Sequence, residues 1–207
     1  IYDGEYFDAR IKSPLESPEL SAWECCEIFT GFDGEISPAE APFIRVREHL
    51  ARRPFSATVY EGTKDNGSDF GEINTVLTKV GADCEKITLH KGQTLVLDYR
   101  QNLVGRPHIS VKTASGVTTE IYCAEFLNDS GLKSRANDGP KGSAYIENYR
   151  SALARTVYIA KGDENGEELE GYSSYTMFGD SPDRPVEFEK SLSALNGTQS
   201  KLIKKRA

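Results

Sequence analysis

Asp98, Gln101 and Asn102 crowd into one short stretch of the chain, VLDYRQNLVGRPHISV (Val96 to Val111), with Tyr99 and Arg100 between them. A carboxylate supplies acceptors, and each carboxamide supplies both donors and an acceptor. Set beside a tyrosine ring, these groups form the kind of face that takes the hydroxyls of a sugar. The same side chains have a plainer use. Asp and Asn cap backbone N–H groups in tight connections, and Gly105 would let the chain turn back between two strands. The capping use ranks first and the sugar-binding use second.

Glu125 is the other group that could do chemistry. In GVTTEIYCAEFLNDSG, alternation puts it on the face of Ile121, Cys123 and Leu127. A carboxylate on an apolar face must be paired or hydrogen-bonded, or its pKa rises. Glu125 is then a sugar-hydroxyl acceptor or general acid, or else a buried anchor paired with Arg150 or Arg155. The anchor is preferred, because a strand-end ion pair needs no second carboxylate beside it.

The remaining candidates reduce to structure. His49, His90 and His108 are far apart and lack partners at ligand spacing, so they read as surface residues. Asp65-Asn66-Gly67-Ser68-Asp69 and Asp163-Glu164-Asn165-Gly166-Glu167 carry oxygen donors but not the bidentate Glu of a calcium loop. Both read as hairpin tips. Asn66, Asn128 and Asn196 each begin an N-x-S/T triplet, a pattern common by chance. Cys25 and Cys26 do not have zinc spacing, and Cys84 and Cys123 sit among strand-formers as small hydrophobes. A Cys84–Cys123 disulfide has no support in the pattern. No glycine-rich phosphate loop or G-x-S-x-G elbow occurs. The expectation is therefore no metal and no cofactor.

The elements that would position these residues are strands. Ala57 and Val59, Ile87 and Leu89, Ile109 and Val111, and Val186 and Phe188 each alternate with polar neighbours. Asn-Gly, Lys-Gly, Ser-Gly and Asp-Gly turns fall between the runs. The pattern predicts an all-β fold, an antiparallel β-sandwich, with a short and partly helical lead-in. Helices are expected over Ser17–Ile28 and near Leu192–Ile203. The first forty residues hold Pro14, Pro18, Pro38 and Trp23 without clean alternation. The expected organisation is a lead-in over 1–40, a sandwich over 41–195 and a tail over 196–207.

Composition bounds the partners. The chain has 207 residues, 38% of them hydrophobic and 28% charged, enough for a core without staples. A net charge of −7 argues against nucleic acid, which needs a dense basic face. Lys201, Lys204, Lys205 and Arg206 read as a solvated end. No apolar stretch is long enough to span a bilayer. The opening Ile1-Tyr2-Asp3-Gly4 shows no signal peptide and suggests a mature piece or a segment of something longer.

Three ordered segments carry a resemblance. LVLDYRQNLVG, GVTTEIYCAEFLNDSG and YIENYRSALARTVYIAKG together resemble the β-sandwich domain that precedes the catalytic domain in bacterial α-L-rhamnosidases. Asp98, Gln101, Asn102 and Gly105 match that family's D-x-G-Q-N-x-x-G pattern. Ala124 and Glu125 match its A-E pair, and Glu147, Asn148 and Arg150 its E-N-x-R segment. YDGEYFDAR (Tyr2 to Arg10) is similar to the end of the carbohydrate-binding-like domain that precedes the sandwich. Arg100 departs from the pattern, standing where the family has Gly. YTMFG (Tyr175 to Gly179) is followed by an unfamiliar Asp180-Ser181-Pro182-Asp183.

The resemblance implies a role. Family members hydrolyse terminal α-L-rhamnose with inversion, which uses two carboxyl groups about 6.5–9.5 Å apart. In the family those groups lie on a helical toroid that follows the sandwich. The expectation is a non-catalytic scaffold, with that helical catalytic domain as partner. A free-standing module for rhamnose-containing glycans is the alternative, using Asp98, Tyr99, Gln101, Asn102, Glu125, Asn148 and Arg150. Tyr145, Tyr149, Tyr172 and Tyr175 are further candidates for its aromatic platform. A periplasmic or extracellular setting follows from the resemblance alone.

Overall fold

The computed structural model describes residues 4–11, 25–31, 33–35, 37–38, 49, 51–100, 103–153, 155–170, 186–189, 193–196 and 200–204. Among them the chain is built from strands and short 3-10 turns. The larger sheet has seven strands. Their order is β1 (Glu5–Asp8), β9 (Arg155–Ile159), β8 (Thr118–Ala124), β13 (Ser200–Lys204), β5 (Gln93–Asp98), β2 (Ser56–Lys64) and β3 (Glu72–Val80). A second sheet runs β10 (Glu167–Glu170), β7 (His108–Lys112), β11 (Val186–Glu189) and β4 (Lys86–Leu89). β6 (Leu103–Arg106) and β12 (Ser193–Asn196) form a separate pair. β1 joins β9 in parallel, and the other pairings are antiparallel. This is the all-β antiparallel sandwich that the alternation predicts.

The core is the set of alternating positions. Ala57 and Val59 of β2, Leu95 and Leu97 of β5, and Ile121 of β8 meet Ile87 and Leu89 of β4 and Ile109 and Val111 of β7. β5 has a second requirement, since it is buried from Gln93 through Leu97 on both faces. Tyr60, Val96 and Ala124 lie in a separate cluster on the outer face, with Ala144 of the chain between β8 and β9. This interior strand is therefore a continuous buried run, apolar from Leu95 to Leu97, rather than a half-buried alternation.

The polar knot marks the crossing from one sheet to the other, since β5 lies in the larger and β7 in the smaller. Asp98 ends β5 and accepts the Arg100 N–H at 2.7 Å. Arg100 then takes φ of +47°, and its guanidinium lies 3.8 Å over the Phe55 ring. At the other end of the sheet, Gly4 shows why YDGEYFDAR contains a glycine. Its φ is +83°, and a Cβ there would sit 2.1 Å from the Arg155 carbonyl oxygen. Only glycine lets β1 approach β9 so closely.

Buried Glu167 ties the loop between β9 and β10. It accepts from the Tyr158 hydroxyl at 2.5 Å and from the Lys161 and Gly162 N–H groups at 2.9 and 3.0 Å. Burial and then the Glu167 contact push the Tyr158 phenol well up.

Three expectations change. The region near Leu192–Ile203 is not helical where it is described, but supplies β12 and β13. The basic end is not simply solvated, because Ser200–Lys204 pairs with β5 on one side and β8 on the other. Two ladders outweigh the local propensity that suggested a helix. The lead-in contributes β1 to the sandwich sheet although it lacks clean alternation. The proposed helix over Ser17–Ile28 lies largely outside the described residues, and 25–28 have no regular structure.

Ile121 is fully buried and Leu77 is 38% exposed. Ile121→Ala should lower unfolding stability by about 2–5 kcal/mol, through lost burial plus the cavity left behind. Leu77→Ala, on a strand facing solvent, should change it by about 0.5 kcal/mol or less. Denaturant midpoints of the two variants check the assignment of the core.

Candidate functional site

The chain between β8 and β9 leaves the sheet and folds back over its outer face. Leu127 bridges Ala144, the Asn128 N–H donates to the Ser143 carbonyl at 2.7 Å, and the Tyr145 N–H donates to the Phe126 carbonyl at 3.0 Å. These bonds bring the A-E pair at Ala124-Glu125 alongside the segment that opens E-N-x-R at Glu147. Leu127, Ala144 and Ile146 pack with Ala124, Tyr60 and Val96. Two motifs well separated in sequence thus become neighbours.

Asp138 is the hub of this excursion. Its Oδ1 accepts from Asn128 Nδ2 at 2.8 Å, and its Oδ2 accepts from the Ile146 and Glu147 N–H groups, both at 2.8 Å. Asn128 is buried and completes the clasp. Its Nδ2 also donates to Ser143 Oγ at 2.9 Å, and its Oδ1 accepts the Asp138 N–H at 3.2 Å. Asn137, also buried, bonds the Asp129 N–H, the Asp129 carboxylate and the Leu132 carbonyl. Arg135 donates twice to Asp129 Oδ2, at 3.1 and 2.7 Å. The Arg135 contact, then Asn137 and the Ser130 N–H, hold the Asp129 carboxyl well below the usual carboxylate range.

A cleft of about 140 Å³ opens beside the hub, lined by Tyr60, Asp138, Pro140, Ser143, Ala144 and Ile146. Phe126 and Tyr145 stack on the same excursion, with centroids 4.8 Å apart and planes 19° from parallel. Phe126 is 51% exposed. The arrangement can hold a small group between an apolar floor and a polar wall. Its carboxylate is already committed to three donors.

The residues singled out in the sequence divide. Asp98 caps Arg100, as expected of a turn. Tyr99 is no platform: its ring is buried in the core, and burial, then the nearby Cys123 and Cys84, push its phenol well up. Gln101 and Asn102 lie outside the described residues. Glu125 is exposed rather than a buried anchor, because β8 ends at Ala124 and the alternation stops with it. Asn148 lies in the 3-10 turn Glu147–Tyr149, its side chain outside the description. Arg150 is exposed, with φ of +57°. Tyr145 belongs to the stacked pair, Tyr149 is half-buried, and Tyr172 and Tyr175 lie outside the described residues. Cys84 and Cys123 are buried thiols with no disulfide between them.

Asn128, Asn137 and Asp138 were not legible as a site. Their signals were an N-x-S triplet and an Asp-Gly-Pro turn, each ordinary by itself. What could have found them is amide and carboxylate side chains recurring through LNDSGLKSRANDGPKGS (Leu127 to Ser143), a segment with few apolar residues that still has to cover a sheet.

Asp138→Ala removes the acceptor of three bonds and leaves buried Asn128 short of one. It should cost roughly 2–3 kcal/mol of unfolding stability. A change below about 0.5 kcal/mol, the range of an ordinary surface substitution, would contradict the hub. For Asp129 the sign is that of a carboxyl whose folded pKa is depressed. Its contribution is complete above the unfolded value of about 3.9 and is lost as pH falls through the folded value. Asp129→Asn should therefore flatten the acid limb of midpoint against pH below about 4.

A family profile described as the bacterial alpha-L-rhamnosidase concanavalin-like domain matches residues 87–179. An alpha-L-rhamnosidase of Formosa agariphila is 29% identical over 163 residues, covering 77% of this chain and 13% of that protein. An alpha-L-rhamnosidase of Streptomyces avermitilis is 37% identical over 83 residues, covering 40% of this chain and 7% of that protein. No solved structure matches the chain. The chain thus spans a small part of the length of either relative. The matched residues run from β4 through the Asp98 knot, β8, the excursion and β9, so the likeness to bacterial α-L-rhamnosidases is to their concanavalin-like domain.

Proposed function

We propose that this chain is a non-catalytic accessory β-sandwich of an α-L-rhamnosidase-like glycoside hydrolase, serving as scaffold beside a helical catalytic domain. The observation that carries the reading is the commitment of Asp138. The carboxylate in the cleft accepts three hydrogen bonds that hold the excursion on the sheet, two of them from backbone N–H groups. A general acid or base needs a site free to exchange a proton with substrate. The small share of each relative that the chain covers is consistent with chemistry performed by another part of the protein. Phe126, Leu132 and Leu153, exposed on or beside the excursion, supply apolar contact for a neighbouring domain.

A free-standing module for rhamnose-containing glycans is the second reading. The stacked Phe126–Tyr145 pair on the excursion favours it, since Phe126 is exposed and an aromatic face suits a sugar ring. It would use the excursion and, of the residues first considered, Glu125 and Arg150, rather than buried Tyr99.

The purified chain should turn over an aryl α-L-rhamnoside at the rate of buffer alone. Turnover that disappears in Asp138→Asn would overturn the scaffold reading. Calorimetry against rhamnose should be silent. Millimolar or tighter binding, lost in Phe126→Ala, would establish the module instead.

A further inference from the structure

The turn between β2 and β3 places an Asn-Gly pair in an unusual setting. We propose that Asn66 is a site of spontaneous covalent modification, in which its side-chain amide cyclises onto the Gly67 nitrogen and then hydrolyses to aspartate or isoaspartate. Asn66 and Gly67 are exposed. Gly67 has φ of +79°, and no heavy atom lies within 4 Å of where a Cβ would stand, so the turn has open space beside the glycine for the ring that forms.

The neighbours supply the other two requirements. The Gly67 N–H donates to Asp65 Oδ1 at 2.7 Å, which sets a carboxylate where a general base must be. Asn66 Oδ1 accepts from the Ser68 N–H at 3.0 Å and from the Ser68 hydroxyl. Those donors face the oxygen on which negative charge develops as the amide carbon becomes tetrahedral. The Ser68 oxygen is itself fixed by the Gly71 N–H at 3.1 Å.

The atoms balance without a cofactor. The Gly67 nitrogen bonds to Asn66 Cγ and gives up its proton through Asp65. The Cγ–Nδ2 bond then breaks, and the amide nitrogen leaves as ammonia, having gained that proton. Water opens the succinimide at either carbonyl. The product adds a negative charge and, in the isoaspartyl form, one backbone methylene. The change falls in a turn that supports the excursion: the Phe70 N–H donates to the Gly131 carbonyl, the Lys133 N–H to Asp69 Oδ2, and the Lys141 N–H to the Gly71 carbonyl.

A second Asn-Gly pair provides an internal control. The Gly166 N–H donates to the Asp163 carbonyl at 3.0 Å, and an amide carbonyl takes up a proton far less readily than a carboxylate. The native chain is incubated in mildly alkaline buffer, and peptides holding Asn66 and Asn165 are separated and weighed over time, beside a sample unfolded in urea. Asn66 should convert several-fold faster than Asn165 in the folded chain, and the two should converge in urea. Ser68→Ala should slow Asn66 roughly fivefold, the worth of one hydrogen bond in the transition state, and leave Asn165 unchanged. Equal folded rates, a ratio that survives in urea, or a Ser68→Ala rate equal to that of the native chain would each overturn the proposal.

Discussion

The larger sheet is buried on both faces at its centre, while the second sheet covers only one of them. This is the constraint from which the rest follows. A sheet with exposed Val96 and Tyr60 would leave apolar area in water at about 25 cal/mol per Å². The chain meets the need with the excursion between β8 and β9, which carries Leu127, Ala144 and Ile146 onto that face. Yet the excursion is mostly polar, so apolar contact alone does not fix it. The Asn128–Asp138 clasp does, by satisfying backbone donors that have no ladder to join. Covering a sheet with irregular chain is costly unless buried polar groups find partners.

The same constraint explains how the site forms. Folding the excursion onto the sheet brings the A-E and E-N-x-R motifs together and leaves Phe126 and Tyr145 stacked on it. The positions that match the family therefore surround a structural clasp. An excursion built this way presents exposed Phe126 and Leu132, and the Asp138 carboxylate is engaged in holding it on the sheet.

The sandwich was legible because alternation was strong where both sheets are amphipathic: Ala57 and Val59, Ile87 and Leu89, and Ile109 and Val111 are all buried. Two side chains were placed on the wrong side for different reasons. Glu125 was carried inward by extending an alternation past Ala124, where the strand stops, and strand ends are the part periodicity defines least well. Tyr99 was taken for a surface ring because its neighbours in the knot are polar. A crossing between sheets reverses that logic, since it must pass over the edge of the core, and Tyr99 fills the gap. The clasp was not legible, because its members are conventional turn residues until the sheet's need for a cover is known.

The backbone at Arg100 and Arg150 shows where the fold meets resistance. Arg100 occupies the left-handed region, which costs a non-glycine residue roughly 1–2 kcal/mol. An arginine over an exposed ring contributes about 0.5–1 kcal/mol, and the Asp98 cap adds one further hydrogen bond, so the two sides nearly balance. That accounts for an arginine holding positive φ at a position where glycine would meet no such cost. Arg150 is different. At φ of +57° and ψ of −109° it lies outside the left-handed well, and such a residue persists only when its surroundings over-determine it. The Arg150 N–H bond to the Glu147 carbonyl and the Ala152 N–H bond to the Tyr149 carbonyl fix it on both sides. It sits where the excursion turns back toward β9. The Asp138 clasp holds one end of this segment and the β9 ladder the other, so the mismatch between them is taken up at the arginine of E-N-x-R.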